Sequence, residues 1–203
     1  MILNLIEELD ITGHLTISKL YPNGREEVVF DDHNIIVSGM GVALAHMFTL
    51  SGSNSILDYQ IDRFQLGVSG SSPVEVSSTN ALVSPLSSLS EYAGTGGNVL
   101  ATSGYQIRNN SVVNSTAWYG LIPQHNITRI DENTVRYTIL IDQDSCNNLS
   151  RGADPGYLSE IGLFIKNIKN NNPTAPILVA YRAFSYIRKT TDFALVFRWS
   201  INF

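Results

Sequence analysis

Residues 193–203 read Phe-Ala-Leu-Val-Phe-Arg-Trp-Ser-Ile-Asn-Phe. Phe193, Leu195, Phe197, Trp199, Ile201 and Phe203 fall on one side of an extended chain, and Ala194, Val196, Arg198, Ser200 and Asn202 on the other. A strict alternation of this kind is the signature of a strand with one buried face. At about 25 cal/mol per Å² of apolar area removed from water, that aromatic face marks a core strand. The two preceding apolar runs, 177–187 (ILVAYRAFSYI) and 159–166 (SEIGLFIK), read as strands too. An Asn/Pro-rich loop separates these two from each other. The short linker Arg188-Lys189-Thr190-Thr191-Asp192 leads into the last strand. The C-terminal third therefore reads as three successive strands.

The N-terminal part repeats the theme. Residues 15–21 alternate, Pro22-Asn23-Gly24 supplies a reversal, residues 26–31 return, and residues 33–37 form a further extended segment; Pro sets φ, while Asn and Gly tolerate φ > 0. Ser38 reads as the N-cap of one helix over residues 39–51. Gly39 and Gly41 weaken its first turn, so close packing of that turn against a strand is expected. Residues 61–68 predict a core strand, and residues 69–130 a long loop-rich excursion with a helical turn near 81–91. Strands are expected again in 112–119 and 134–142, followed by the polar connection 142–156. At least seven strands, one helix and no βαβ alternation predict a single all-β domain over 1–203. Its expected form is an antiparallel β-sandwich, jelly-roll-like, with one packed α-helix and the 69–130 insertion.

Of the 203 residues 43% are hydrophobic and 15% charged, and 18 acidic against 13 basic residues leave a net charge of −5. That balance excludes disorder and an electrostatically driven nucleic-acid binder. No apolar run reaches the roughly 18–20 residues that span a bilayer, and MILNLIEELD carries three acids where a signal peptide carries basic residues. The expectation is a soluble chain made in the cytoplasm, with neither nucleic-acid nor membrane partner. One cysteine, Cys146, excludes an intrachain disulfide and a multi-thiolate metal site.

Residues that could carry chemistry are few. The four histidines, His14, His33, His46 and His125, form no H-x-H or H-x-x-x-H pair. Asp142-Gln143-Asp144 opens like a calcium loop, but Cys146, Asn147 and Ala153 stand where oxygen ligands and the turn glycine belong, so it reads as a polar turn. No nucleophile elbow, phosphate loop or dinucleotide fingerprint occurs. Neither catalytic residues, nor a metal, nor a cofactor are expected. Trp118-Tyr119 in an Asn-rich stretch could stack on a sugar or contact a partner protein. Glu160, entering an apolar strand, needs a partner, and Arg182, Arg188 and Lys189 are the candidates for a structural ion pair.

The segments HNIIVSGMGVALAHMF (33–48), IDRFQLGVSGSSP (61–73) and YLSEIGLFI (157–165), the Lys189-Thr190 linker and the terminal W-x-I-x-F strand (199–203) occur in an order that resembles a family of phage proteins. These are small β-sandwich structural proteins of tailed bacteriophages, found alone or as the particle-attached domain of tail fibres. The resemblance implies a non-enzymatic virion component of the tail, baseplate or neck, oligomeric in the particle. Its partners would be other virion subunits or fibres, which it attaches or adapts. Fibre proteins continue into a shaft and tip whereas this chain stops at Phe203, and region 74–130 is longer than the resemblance implies; an adaptor is therefore expected over a receptor binder. The alternative is a carbohydrate-binding module or adhesin tip recognising host-surface glycans through Trp118 and Tyr119.

Overall fold

A computed structural model describes residues 11–48, 59–68, 78–86, 107–109, 118–147, 149–151, 154–165 and 176–203. Its elements are β1 (Thr12–Leu20), β2 (Glu26–Ile36), α1 (Gly39–Phe48), β3 (Ile61–Val68), β4 (Ile107–Asn109), β5 (Trp118–Leu121), β6 (Ile127–Arg129), β7 (Thr134–Ile141), β8 (Ser150–Arg151), β9 (Asp154–Pro155), β10 (Leu158–Ile165), β11 (Ile177–Ile187) and β12 (Ala194–Asn202). The protein is all-β and antiparallel, with one α-helix among the described residues. Ten strands form one hydrogen-bonded series, β4-β5-β3-β10-β11-β2-β1-β12-β7-β6, and β8–β9 form a separate small hairpin.

The sheet is continuous because β2 belongs to both of its wings. Residues 26–34 pair with β1, while Ile35 and Ile36 pair with Tyr181 and Ala180 of β11. The segments expected as two extended pieces, 26–31 and 33–37, are thus one long strand. The sheet curls over its own core: Leu15, Ile17, Ile139, Phe197 and Trp199 from one wing share a buried cluster with Phe64, Leu66, Ile161 and Leu163 from the other. Phe184 of β11 meets Phe197 of β12 directly, with ring centroids 6.2 Å apart. Residues 122–126 alone join β5, near one end of the sheet, to β6 at the other. At roughly 3.4 Å per residue that link holds the two ends close, which favours the curl.

The tight turn at Pro22–Gly24 forms as expected: Gly24 has φ +81 and donates its N–H to Tyr21 O at 2.9 Å. Helix α1 buries Met40 and Ala43 in the main core. Of its two early glycines only Gly39 is in close contact, since a Cβ there would collide with the Leu178 carbonyl of β11, whereas Gly41 faces open space. Residues 49–51 of the expected helix lie outside the described residues.

Only parts of the 69–130 region, residues 78–86, 107–109 and 118–130, are among the described residues. They contain β4, β5 and β6. Where a helical turn was expected near 81–91, residues 84–86 instead run along the edge of β3: Val68 N donates to Ser84 O at 2.8 Å and Leu86 N to Leu66 O at 2.9 Å. Residues 87–91 and 112–117 lie outside the described residues. The physical reason for this cover is that β10 is buried along its whole length, so its second face needs a partner layer. Leu82 provides it, packing with Tyr119, Phe164, Leu178 and Tyr181 in a second cluster.

Candidate functional site

Glu160 is fully buried on this second face. Its carboxylate accepts hydrogen bonds from the backbone N–H groups of Val83 (2.9 Å) and Ser84 (2.6 Å) and from the Tyr181 hydroxyl (2.8 Å). The expected ion pair with Arg182, Arg188 or Lys189 does not form. The reason is strand geometry: Glu160 lies opposite Ala183, so Tyr181 and Ala183 share its face while Arg182 projects from the other. Arg182 pairs with Asp32 at 2.6 Å and lies over the Phe30 ring, 5.2 Å from its centroid. Arg188 is exposed beyond the end of β11. Three charge-assisted donors satisfy the buried carboxylate, and in return Glu160 ties residues 83–84 to the sheet.

Lys189 performs the mirror task. Its buried ammonium donates to Gln143 O (3.0 Å), Asn147 Oδ1 (2.9 Å) and Thr190 O (2.8 Å). Asn147 Nδ2 also donates to Gln143 O at 2.6 Å. Burial lowers the Lys189 pKa from 10.5 to about 8, against the opposing pull of Cys146, Asp142, Asp144 and Asp192. The loop read as a polar turn is organised by this cation: Asp144 N donates to Asp142 Oδ1 at 3.2 Å, and Cys146, with φ 58, is buried.

Tyr119 is buried, with its ring edge-on to Phe164 at 5.1 Å, and burial pushes its hydroxyl pKa up. It packs in the second cluster and presents no stacking face. The Trp118 side chain lies outside the described residues. Tyr186 is exposed, 50% accessible, and is paired with Tyr157 at 6.0 Å. Tyr186 borders a cleft of about 380 Å³ lined also by Phe30, Ser159, Arg182 and Phe184. The cleft opens where β2 parts from β11 beyond the Ile35–Tyr181 pairing. Only the pairing register reveals it; no local signal in the sequence does.

A second groove, of about 470 Å³, lies between α1 and the β6–β7 end of the sheet. Met40, Leu44, Met47, Tyr59, Tyr137 and Phe203 dominate its lining. Burial alone raises the Tyr137 hydroxyl pKa. Arg129 at the rim is spent on the carbonyls of Asp131 and Glu132, each at 2.9 Å. The groove is thus lined mainly by apolar side chains.

On the outer face of the β1–β2 hairpin His14 stands opposite His33, with ring centroids 5.6 Å apart at 86°. His46 stacks on Tyr59, and His125 lies in the turn Gln124–Asn126. Among the described residues no three or more His, Cys, Asp or Glu side chains form a group that could hold a metal ion, and no helix is long and apolar enough to cross a membrane.

Comparison of the chain with protein-family models, with curated proteins and with solved structures found no match.

Proposed function

We propose that the protein is a non-enzymatic structural subunit of a tailed-phage particle, a tail, baseplate or neck component that holds neighbouring subunits or fibres. The observation that carries this reading is where the resembling segments fall. Residues 33–48, 61–73 and 157–203 are far apart in the chain, yet their described parts supply β3, β10, β11, β2 and α1, which are contiguous, together with β12. The atypical region is attached along β3, on the side where β5 also pairs, through Ser84 and Leu86. A body built from the resembling segments and carrying an elaborated flank suits an adaptor. The buried ionisable groups also support it, because Glu160 and Lys189 are committed to backbone and amide partners. The two wings, packed across one core, work in this reading as the faces of a sandwich.

The apolar groove beside α1 supplies a surface that neighbouring subunits would cover, and the particle would hold several copies. Mass spectrometry and electron cryomicroscopy of phage particles whose genome carries this gene should find the chain in repeated symmetric copies on the tail, baseplate or neck. Purified particles that lack it would overturn the reading.

A further inference from the structure

We propose that His14 and His33 form a surface chelate for a divalent transition-metal ion of the zinc, nickel or copper type. The two residues are 19 positions apart and no spacing motif links them, but the hairpin register sets one directly across from the other. That register depends on an irregularity. From Leu20↔Glu26 to Ser18↔Val28 the strands pair one for one, and then Ile17 pairs with Phe30, leaving Val29 as the extra residue. Without this bulge His14 would face Asp32, and His33 would project from the other side of the sheet.

The geometry fits two imidazoles sharing one ion. With metal–nitrogen bonds of about 2.0–2.1 Å, ring centroids across a tetrahedral ion lie roughly 5 Å apart. The rings here are 5.6 Å apart and edge-on. Both residues are accessible on the strand face opposite the buried Leu15 and Ile17, so a small χ adjustment closes the remaining distance without disturbing the core. Imidazole is the favoured ligand of zinc, copper and nickel.

The surroundings favour a cation. Asp31 Oδ1 is 3.6 Å from His14 Nε2, too long for a hydrogen bond, and it is steadied by the Thr16 hydroxyl at 2.7 Å. It places a negative charge beside the pair. On the other side of His14 lies Ser200 of β12, and the next residue in that row is Arg136, whose Nε reaches Ser200 Oγ at 3.3 Å. Arg136 is two strands from His14, roughly 10 Å away. Arg198, in the adjacent row, is held by Glu26. Two protein nitrogens leave the other coordination positions to water, so the ion exchanges freely with solvent.

The test is a titration of the full chain with zinc chloride, read by calorimetry and by the imidazole NMR signals, with melting temperature as an independent readout. The expected result is one ion per chain, with the His14 and His33 signals moving together and the His125 signals still. His14→Ala or His33→Ala should each weaken binding at least tenfold and remove the zinc-induced rise in melting temperature. His125→Ala should change neither, and all three variants should fold by circular dichroism. Absence of binding would overturn the proposal, as would binding that survives either histidine substitution. One ion per two chains, dependent on both histidines, would overturn the single-chain chelate in favour of a metal-bridged pair of copies.

Discussion

Glu160 lies directly across the β3–β10 ladder from Gly67, and its side chain occupies the space that a Cβ on residue 67 would need. The glycine makes room for a buried carboxylate, and the carboxylate in turn fastens Val83 and Ser84. Gly67→Ala should therefore destabilise the protein by about 1–3 kcal/mol, as overpacking does. Glu160→Gln, which turns one acceptor into a donor facing a donor, should cost about 1–3 kcal/mol. In a Glu160→Ala background the Gly67→Ala penalty should largely vanish, because the two share one contact. Denaturant unfolding of the single and double variants measures this, and strict additivity would refute it.

The helix glycines should behave with opposite signs. Gly39→Ala meets the Leu178 carbonyl and should lose more than 1 kcal/mol, beyond any propensity gain. Gly41→Ala meets nothing and should gain about 0.5–1 kcal/mol from helix propensity alone. Thermal melts of the two variants suffice to check it.

Lys189 makes stability depend on pH. Its folded-state pKa, lowered by burial to about 8, lies below the ordinary 10.5. Between those values the unfolded chain binds the extra proton, so the contribution of residue 189 to stability rises with pH across the window from about 8 to 10.5. The stability difference between wild type and Lys189→Met should grow over that interval, by about 3 kcal/mol at most. Tyrosine ionisation affects both proteins alike and cancels. A difference that stays flat with pH would contradict the burial argument.

Asn34 is buried against Gly13, and neither atom of its side-chain amide has a hydrogen-bond partner. A desolvated amide without partners is a standing cost. Asn34→Leu, which keeps the branching of the side chain and removes its polar atoms, should raise stability by about 1 kcal/mol, seen as a higher denaturation midpoint with an unchanged m-value.

β12 is central to the fold, paired with β1 on one edge and β7 on the other, and Phe197, Trp199 and Ile201 are fully buried. Deletion of residues 197–203 removes most of that strand and exposes two new edges. The truncated chain should be recovered as insoluble protein; a soluble truncation with a cooperative melt would count against this.

The all-β class, the Pro22–Gly24 reversal, β3, β7 and the three C-terminal strands were legible because alternation and turn chemistry are local properties of the chain. The apolar run of β10 also announced a strand, although nothing local showed that it would be buried along its whole length or that Leu82 would cover it. The partners of Glu160 and Lys189 were illegible for a different reason. A buried charge requires some partner, but which one depends on the face each neighbour takes, and Arg182 falls on the opposite face from Glu160.

What the amino-acid sequence determined by itself is therefore which segments extend, where they reverse and which of their faces are apolar, since these follow from a period of two and from residues that tolerate tight turns. Tertiary structure alone decided the curl through β2, the burial of Tyr119, the cleft beside Tyr186 and the juxtaposition of His14 with His33. Each of these rests on register, and a single extra residue in β2 is enough to move every side chain beyond it to the other face of the sheet.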